Sequence, residues 1–366
     1  MMQKRKSLVF VLATLVFFSG CNTIGIGGGG ATHLAYVTLP SVNGIAAFRV
    51  NNSSGALTSV FGTPFAVGAS PAAMVLHPSG NYLYVANQAD ANISLLKIDS
   101  TTGSLTEVLP RVSTGLAPAS MVTNSGGSLL FVANQSSNSI SVYSISSTDG
   151  TLTQISGSPF ATFTNPRNLA LAPSGKFLYV SHPNLASVSA YSVSSGGSLT
   201  LITGSPFAVG TGPFAIAVQP SEKFLYVANS IDSTIQAMTI DATTGALTVV
   251  VGSVLSTGTS TNPRALAFDS TGKFLCVANS QTNVISSYSL DATTGIPTAV
   301  TTSSSANSGT NPVFLTLDST GKFLLVANQD SKTITGLLID SSSGALTSNS
   351  TSGTLNWQPA AIVTTK

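Results

Sequence analysis

Charge is what this sequence has least of. Among 366 residues there are 14 Lys or Arg and 12 Asp or Glu, so charged side chains make up 7% of the chain, against about 25% in an ordinary globular domain. The net charge of +2 leaves too few cations for the basic face of a nucleic-acid binder. Glutamate is nearly absent: Glu107 and Glu222 stand alone in separate segments, which argues against a paired-glutamate site. Three histidines with no HExxH, zinc spacing or EF-hand loop give no metal centre, and no GxSxG or Walker A segment is present. No cofactor is expected. Cysteine is limited to Cys21 and Cys276. Scarcity of charge does not mean disorder, because 43% hydrophobic residues suffice for a packed core.

The amino terminus reads as a targeting segment. Lys4, Arg5 and Lys6 precede the apolar run "SLVFVLATLVFFSG", which is shorter than the ~20 residues a membrane-spanning helix needs. The run ends in "FSGC" and resembles a bacterial lipoprotein signal, which implies cleavage before Cys21 and acylation of its thiol. Residues 1–21 are therefore assigned to the signal. Residues 22–32 follow as a Gly-rich tether with a mean reach of roughly 20 Å. The GxGxxG match inside that tether opens no helix and is not a dinucleotide fingerprint. The expected protein is exported, anchored to the envelope membrane through Cys21, and monomeric. Cys276 would then have no disulfide partner, and it reads as core filler.

What the sequence has in abundance is itself. "KFLYVAN" at residues 223–229 returns as "NYLYVAN", "SLLFVAN", "KFLYVSH", "KFLCVAN" and "KFLLVAN", with a worn copy at "HLAYVTL". The period is about 48 residues and seven copies fill residues 33–366, which is the spacing of propeller blades. Ser and Thr supply about a quarter of the chain, and β-branched residues alternate with Gly-containing turns. Each unit divides into four strands. Lys223 to Asn229 is apolar on both faces and so must be covered on both. Ser233 to Ile240 follows and ends in the turn "IDATTG". "ALTVV" is the outer strand, and "PFAIAV" has the small residues of an inner one. The first unit lacks an inner strand, and the tail "LNWQPAAIVTTK" supplies the missing pattern. The expectation is an all-β, seven-bladed β-propeller of four-stranded blades, closed when the C-terminal strand completes the first blade. Closure leaves no sheet edge exposed.

"VAN" after an aromatic-rich strand, "IDATTGALT", "GSPF" and "NPRALAFDSTGKFL" resemble the bacterial lactonase-like seven-bladed propellers. That family includes 6-phosphogluconolactonase, a muconate-cyclising enzyme and the YVTN surface-layer repeats. The resemblance implies an Arg that holds an anionic substrate, with a His and a Glu for acid–base work. In this sequence Phe214 stands at the Arg position, Ala215 at the His position and Ser230 at the Glu position. Arg264 matches a further Arg of the family.

The remaining titratable residues were placed by their position in the repeat. Asp99, Asp149, Asp241, Asp291 and Asp340 fall in outer turns, and Asp269 and Asp318 in "DSTG" turns, where a carboxylate caps backbone N–H groups. Asp90, Asp232 and Asp330 follow the second strand. Arg167 and Arg264 follow the proline that opens an inner strand, and His182 replaces the Asn of "VAN". These six would gather on one face around the axis, with the two arginines and three aspartates contacting a ligand and His182 as the only base. Phe65, Phe160 and Phe207 of the "PF" loops are expected to wedge between blades. Two functions fit. One is an envelope-tethered propeller that binds a small molecule (a carbohydrate or lactone) or a protein at the channel mouth, without acid–base chemistry. The other is a sugar-lactone hydrolase resembling 6-phosphogluconolactonase.

Overall fold

A computed structural model describes residues 31–300, 306–307 and 309–366. Cys21, the signal segment and most of the tether lie outside the described residues. The first strand, Thr32–Leu39, begins one residue before the expected boundary.

Seven antiparallel sheets follow one another around an axis, each ordered from an inner to an outer strand. Blade 5 is representative: inner strand Pro213–Val218, second strand Phe224–Asn229, third strand Thr234–Ile240 and outer strand Leu247–Val249. Its second strand is buried throughout. That is why the repeat is most faithful there: both faces pack on neighbouring blades, and the buried Asn229 at the strand's end donates to the Thr234 hydroxyl. The outer strand is where the expectation needs amending. In five blades it is interrupted, and a two-residue strand such as Leu255–Ser256 resumes pairing with the third strand. In blades 2 and 7 the outer strand runs nine residues without a break, as Leu105–Ser113 and Leu346–Thr354.

Adjacent blades are joined by a close approach of backbone to aromatic ring. In the turn between third and outer strands of blade 7, a Cβ on Gly344 would lie 2.2 Å from the Phe274 ring of blade 6. Gly245 meets Phe177 in the same way, and its φ of +74° suits glycine independently. The second strands also hold the contact by hydrogen bonds. Tyr36, Tyr84, Tyr179 and Tyr226 each donate a hydroxyl to the carbonyl of the corresponding glycine in the next blade. At Phe131, Cys276 and Leu325 the same slot is purely apolar. Cys276 is fully buried, and burial pushes its thiol up to about 12, so it stays neutral filler.

The ring closes as expected. Ile362–Thr364 pairs antiparallel with Ala35–Val37, and beside them the Thr38 N–H donates to the Ala361 carbonyl while the Thr38 carbonyl accepts the Ala360 N–H. Gly55 of blade 1 then meets Phe323 of blade 7, which repeats the interblade contact across the seam. Phe65, Phe160 and Phe207 pack against the apolar clusters between blades. The turn aspartates cap as their sequence context requires. Asp241, for example, accepts the N–H groups of Thr243 and Thr244, and these bonds lower its pKa. Among the described residues no helix is long and apolar enough to cross a membrane.

Candidate functional site

The inner strands surround an axial cavity of about 510 Å³, within the usual range for small-molecule sites. Its construction follows from one repeated dipeptide. A buried proline opens the inner strand in five blades, at Pro71, Pro118, Pro213, Pro263 and Pro312, and stands three residues before it in blades 4 and 1, at Pro166 and Pro359. In blades 2, 3, 5, 6 and 7 the ladder skips a residue just after it, as between Pro213 and Ala215. Such a bulge turns the skipped side chain out of the sheet. Around the ring, the residue following the proline lines the cavity: Ala72, Ala119, Arg167, Phe214, Arg264, Val313 and Ala360.

Blades 4, 5 and 6 therefore present Arg167, Phe214 and Arg264 side by side. The Phe214 ring lies between the two cations in sequence order and touches both. Its centroid is 4.4 Å from the Arg167 guanidinium carbon and 5.2 Å from that of Arg264. Each cation thus faces the electron-rich ring, a contact worth about 0.5–2 kcal/mol. Among the described residues, no carboxylate or imidazole lines the cavity. The Arg and Lys ion pairs found among the described residues join Arg111 to Asp90 and Glu107, and none reaches Arg167 or Arg264. Arg264 Nε is buried without a hydrogen-bond partner. Burial, and then the neighbouring Arg264 charge, hold the Arg167 pKa below the ordinary arginine value. Two guanidinium groups thus share one wall with no anionic group to neutralise them.

The structure brings Arg167 and Arg264 together and leaves the other four expected site residues elsewhere. Asp90 accepts the Ala69 N–H at 2.8 Å, and Asp232 accepts the Thr211 N–H at 2.6 Å. Both carboxylates tie the loop after the second strand to the loop before the inner strand. Ser137 and Ser331 do the same in blades 3 and 7, through the N–H groups of Leu116 and Thr310. Asp330 is exposed beside Ser331. None of the three aspartates lines the cavity.

His182 is fully buried and away from the cavity wall. Its Nδ1 contacts the Thr164 carbonyl at 3.1 Å and its Nε2 the Ser189 hydroxyl at 2.7 Å. The physical reason is a paired replacement. In blade 2 the buried Asn87 at this position covers Gly68, where a Cβ would come within 2.4 Å of the amide. In blade 4 the imidazole takes the Asn position and packs edge-on against Phe163, with ring centroids 5.7 Å apart. Burial lowers the His182 pKa to about 4, so the ring is neutral at pH 7. The native state then binds fewer protons than the unfolded chain between the model-peptide pKa of about 6.5 and pH 4. Stability is fully present above that window and declines as the pH falls through it. His182→Asn, which restores the sister pattern, is expected to flatten this decline by about 1–3 kcal/mol between pH 7 and 4. Urea unfolding at several pH values measures it, and an unchanged slope would show that His182 does not titrate on unfolding.

Phe214 is the residue that sequence reasoning missed. Compared with a family pattern it registered only as an arginine lost. The signal was available in the residue after each of the seven prolines, where a single Phe separates two Arg.

The lactonase family of seven-bladed β-propellers matches residues 32–116, 108–212, 155–260, 207–310 and 299–357. No curated protein matches the chain significantly. Among solved structures, a candidate 6-phosphogluconolactonase from Bacteroides fragilis NCTC 9343 superposes with a TM-score of 0.79 at 22% identity, covering 92% of this chain and 98% of that one. A periplasmic gluconolactonase from Pseudomonas aeruginosa gives 0.77 at 19% identity, covering 92% and 99%. At these identities the likeness concerns the fold. The family match spans nearly all the described residues, and the chain belongs to the lactonase family of seven-bladed β-propellers.

Proposed function

We propose that this propeller binds an organic anion in its axial cavity, held by Arg167 and Arg264. The observation that carries the reading is that, among the described residues, no carboxylate pairs with the two half-buried guanidinium groups on one wall. Leaving charge buried and uncompensated is unfavourable by several kcal/mol, and an anionic ligand removes that penalty on binding. The basic and apolar run before Cys21 supports an exported, lipid-anchored protein whose site meets solutes of the envelope. The scarcity of charge argues against nucleic acid as a partner.

A second reading, lactone hydrolysis, is favoured by the family match. Addition of water to a lactone carbonyl places negative charge on the carbonyl oxygen, which either arginine can stabilise. Ring opening then produces a carboxylate that suits the same pair. The described cavity wall offers no general base, a group typically worth 10²–10⁴ in rate. Turnover by this site is therefore expected to be slow and to rise with hydroxide concentration. Calorimetric titration with inorganic phosphate, alongside hydrolysis assays on glucono-δ-lactone and dihydrocoumarin, tests both readings. Saturable phosphate binding that weakens at least tenfold in Arg264→Gln supports the anion site. No phosphate binding by the parent protein would refute it. Lactone turnover with a sharp neutral pKa would contradict the absence of a general base.

A further inference from the structure

The cavity is two-sided, and the second side points to the class of anion. We propose that the ligand is an apolar monocarboxylate, of the kind released when an alkyl- or aryl-substituted lactone opens, and not a polyhydroxylated sugar acid. This rests on the anion-binding reading of Arg167 and Arg264 and specifies what lies beyond the charged group.

Away from the arginines, blades 1, 2 and 3 present Ala360, Ala72 and Ala119 at the same level. These small side chains leave the space that Arg167, Phe214 and Arg264 fill on the other side. One level deeper, two residues along each inner strand, the lining is Met74, Met121, Leu169, Ile216, Leu266 and Leu315. Met side chains adapt to irregular apolar shapes. The polar residues at mid-depth already have partners. Asn168 Oδ1 accepts the Ile216 N–H at 3.0 Å, and the Ser120 hydroxyl accepts the Leu169 N–H at 3.1 Å. Both bonds cross between blades and hold the ring together. Ser70, Gln88 and Gln329 also line the cavity, and they stand at the ends of the inner and second strands that form its mouth.

A ligand below that mouth therefore meets two cations and, on the opposite side, alanine and methionine side chains with the already hydrogen-bonded Ser120 among them. A carboxylate fits the first and an alkyl or aryl body the second. A sugar acid would place several hydroxyl groups against Ala and Met, and each one buried without a partner weakens binding. A neutral apolar molecule would leave the guanidinium groups desolvated and unpaired.

Calorimetry with three probes tests this: 4-phenylbutyrate, 4-phenylbutanol and gluconate. The parent protein is expected to bind 4-phenylbutyrate at least tenfold more tightly than either of the others. Ala119→Phe, which fills the apolar side, should weaken 4-phenylbutyrate at least tenfold, and a urea-unfolding midpoint like the parent's would show that the variant folds. Gluconate binding as tightly as 4-phenylbutyrate would overturn the inference but leave the anion site standing if Arg264→Gln abolishes both. 4-Phenylbutanol binding as tightly as the acid would overturn it as well. Failure of phosphate and both acids to bind the parent would instead refute the anion reading beneath it.

Discussion

Deleting residues 359–366 is expected to abolish cooperative folding of the propeller, the largest effect of any small change to this chain. The deletion removes Ile362–Thr364, the inner strand of blade 1, and with it the ladder to Ala35–Val37. Ala361 and Ile362 are buried, and they cover Tyr36 and Val37, which are buried in turn. The loss uncovers an unpaired strand edge inside the ring, a ready template for aggregation. The seam has other contacts: Thr364 Oγ1 donates to the Leu317 carbonyl, and Asn349 Nδ2 to the Ser54 carbonyl. The first of these goes with the deletion, and the second cannot replace the missing strand. A graded version keeps the prediction measurable if the deleted chain is insoluble. Ile362→Ala should reduce stability by about 2–5 kcal/mol, the usual range for a fully buried large-to-small change. Lys366→Ala, at the exposed last residue, should stay within about 0.5 kcal/mol of the parent. Chemical denaturation with a single fitted transition measures all three. A deleted chain that unfolds cooperatively at the parent midpoint would show that blade 1 does not depend on its last strand.

The second large effect has opposite signs for stability and for binding. In the absence of ligand, Arg167→Gln and Arg264→Gln are each expected to raise stability by about 1 kcal/mol. Each removes a half-buried cation and relieves the repulsion between the pair, both unfavourable terms. Against them stands the loss of one contact with Phe214, worth about 0.5–2 kcal/mol. The double variant should gain less than the sum of the singles, because the first substitution already relieves the mutual repulsion. In saturating inorganic phosphate the order should invert. A ligand that binds only the native state stabilises it by RT ln(1 + [L]/Kd), about 2.7 kcal/mol at one hundred times Kd, and the variants lose that term. Stability that rises when function is removed is the signature of a site maintained against folding. Thermal or urea unfolding with and without phosphate measures both halves. Loss of stability in both single variants without phosphate would mean that the arginines hold the ring together instead of holding a ligand.

The sequence made the ring legible because of what a propeller demands of each copy. A second strand covered on both faces cannot drift, so "KFLYVAN" and its relatives fix the blade count and the register. Loops drift freely, and that is where reading residue by residue reached less far. His182 stood out, with Leu39 of the worn first copy, as a break in a run of asparagines. Its partner Phe163 lies nineteen residues earlier in the chain, and the exchange with the Gly–Asn pair of blade 2 is visible only when both are seen in contact. Asp90 and Asp232 were placed on the correct face, yet their oxygens point to backbone N–H groups of the adjoining loop. Sequence position places a residue on a face; it does not say whether the side chain turns inward. The arginines were readable because each directly follows the proline that precedes its inner strand, the position that lines the axis in all seven blades. The same rule, applied to all seven prolines, would also have exposed Phe214 and the three alanines.

Anomalous scattering from crystals grown in selenate would locate the anion directly. The account predicts a selenium peak in the axial cavity within hydrogen-bond distance of the Arg167 and Arg264 guanidinium groups, absent in the double glutamine variant. A cavity without such a peak, with selenate found only on the outer surface, would contradict it.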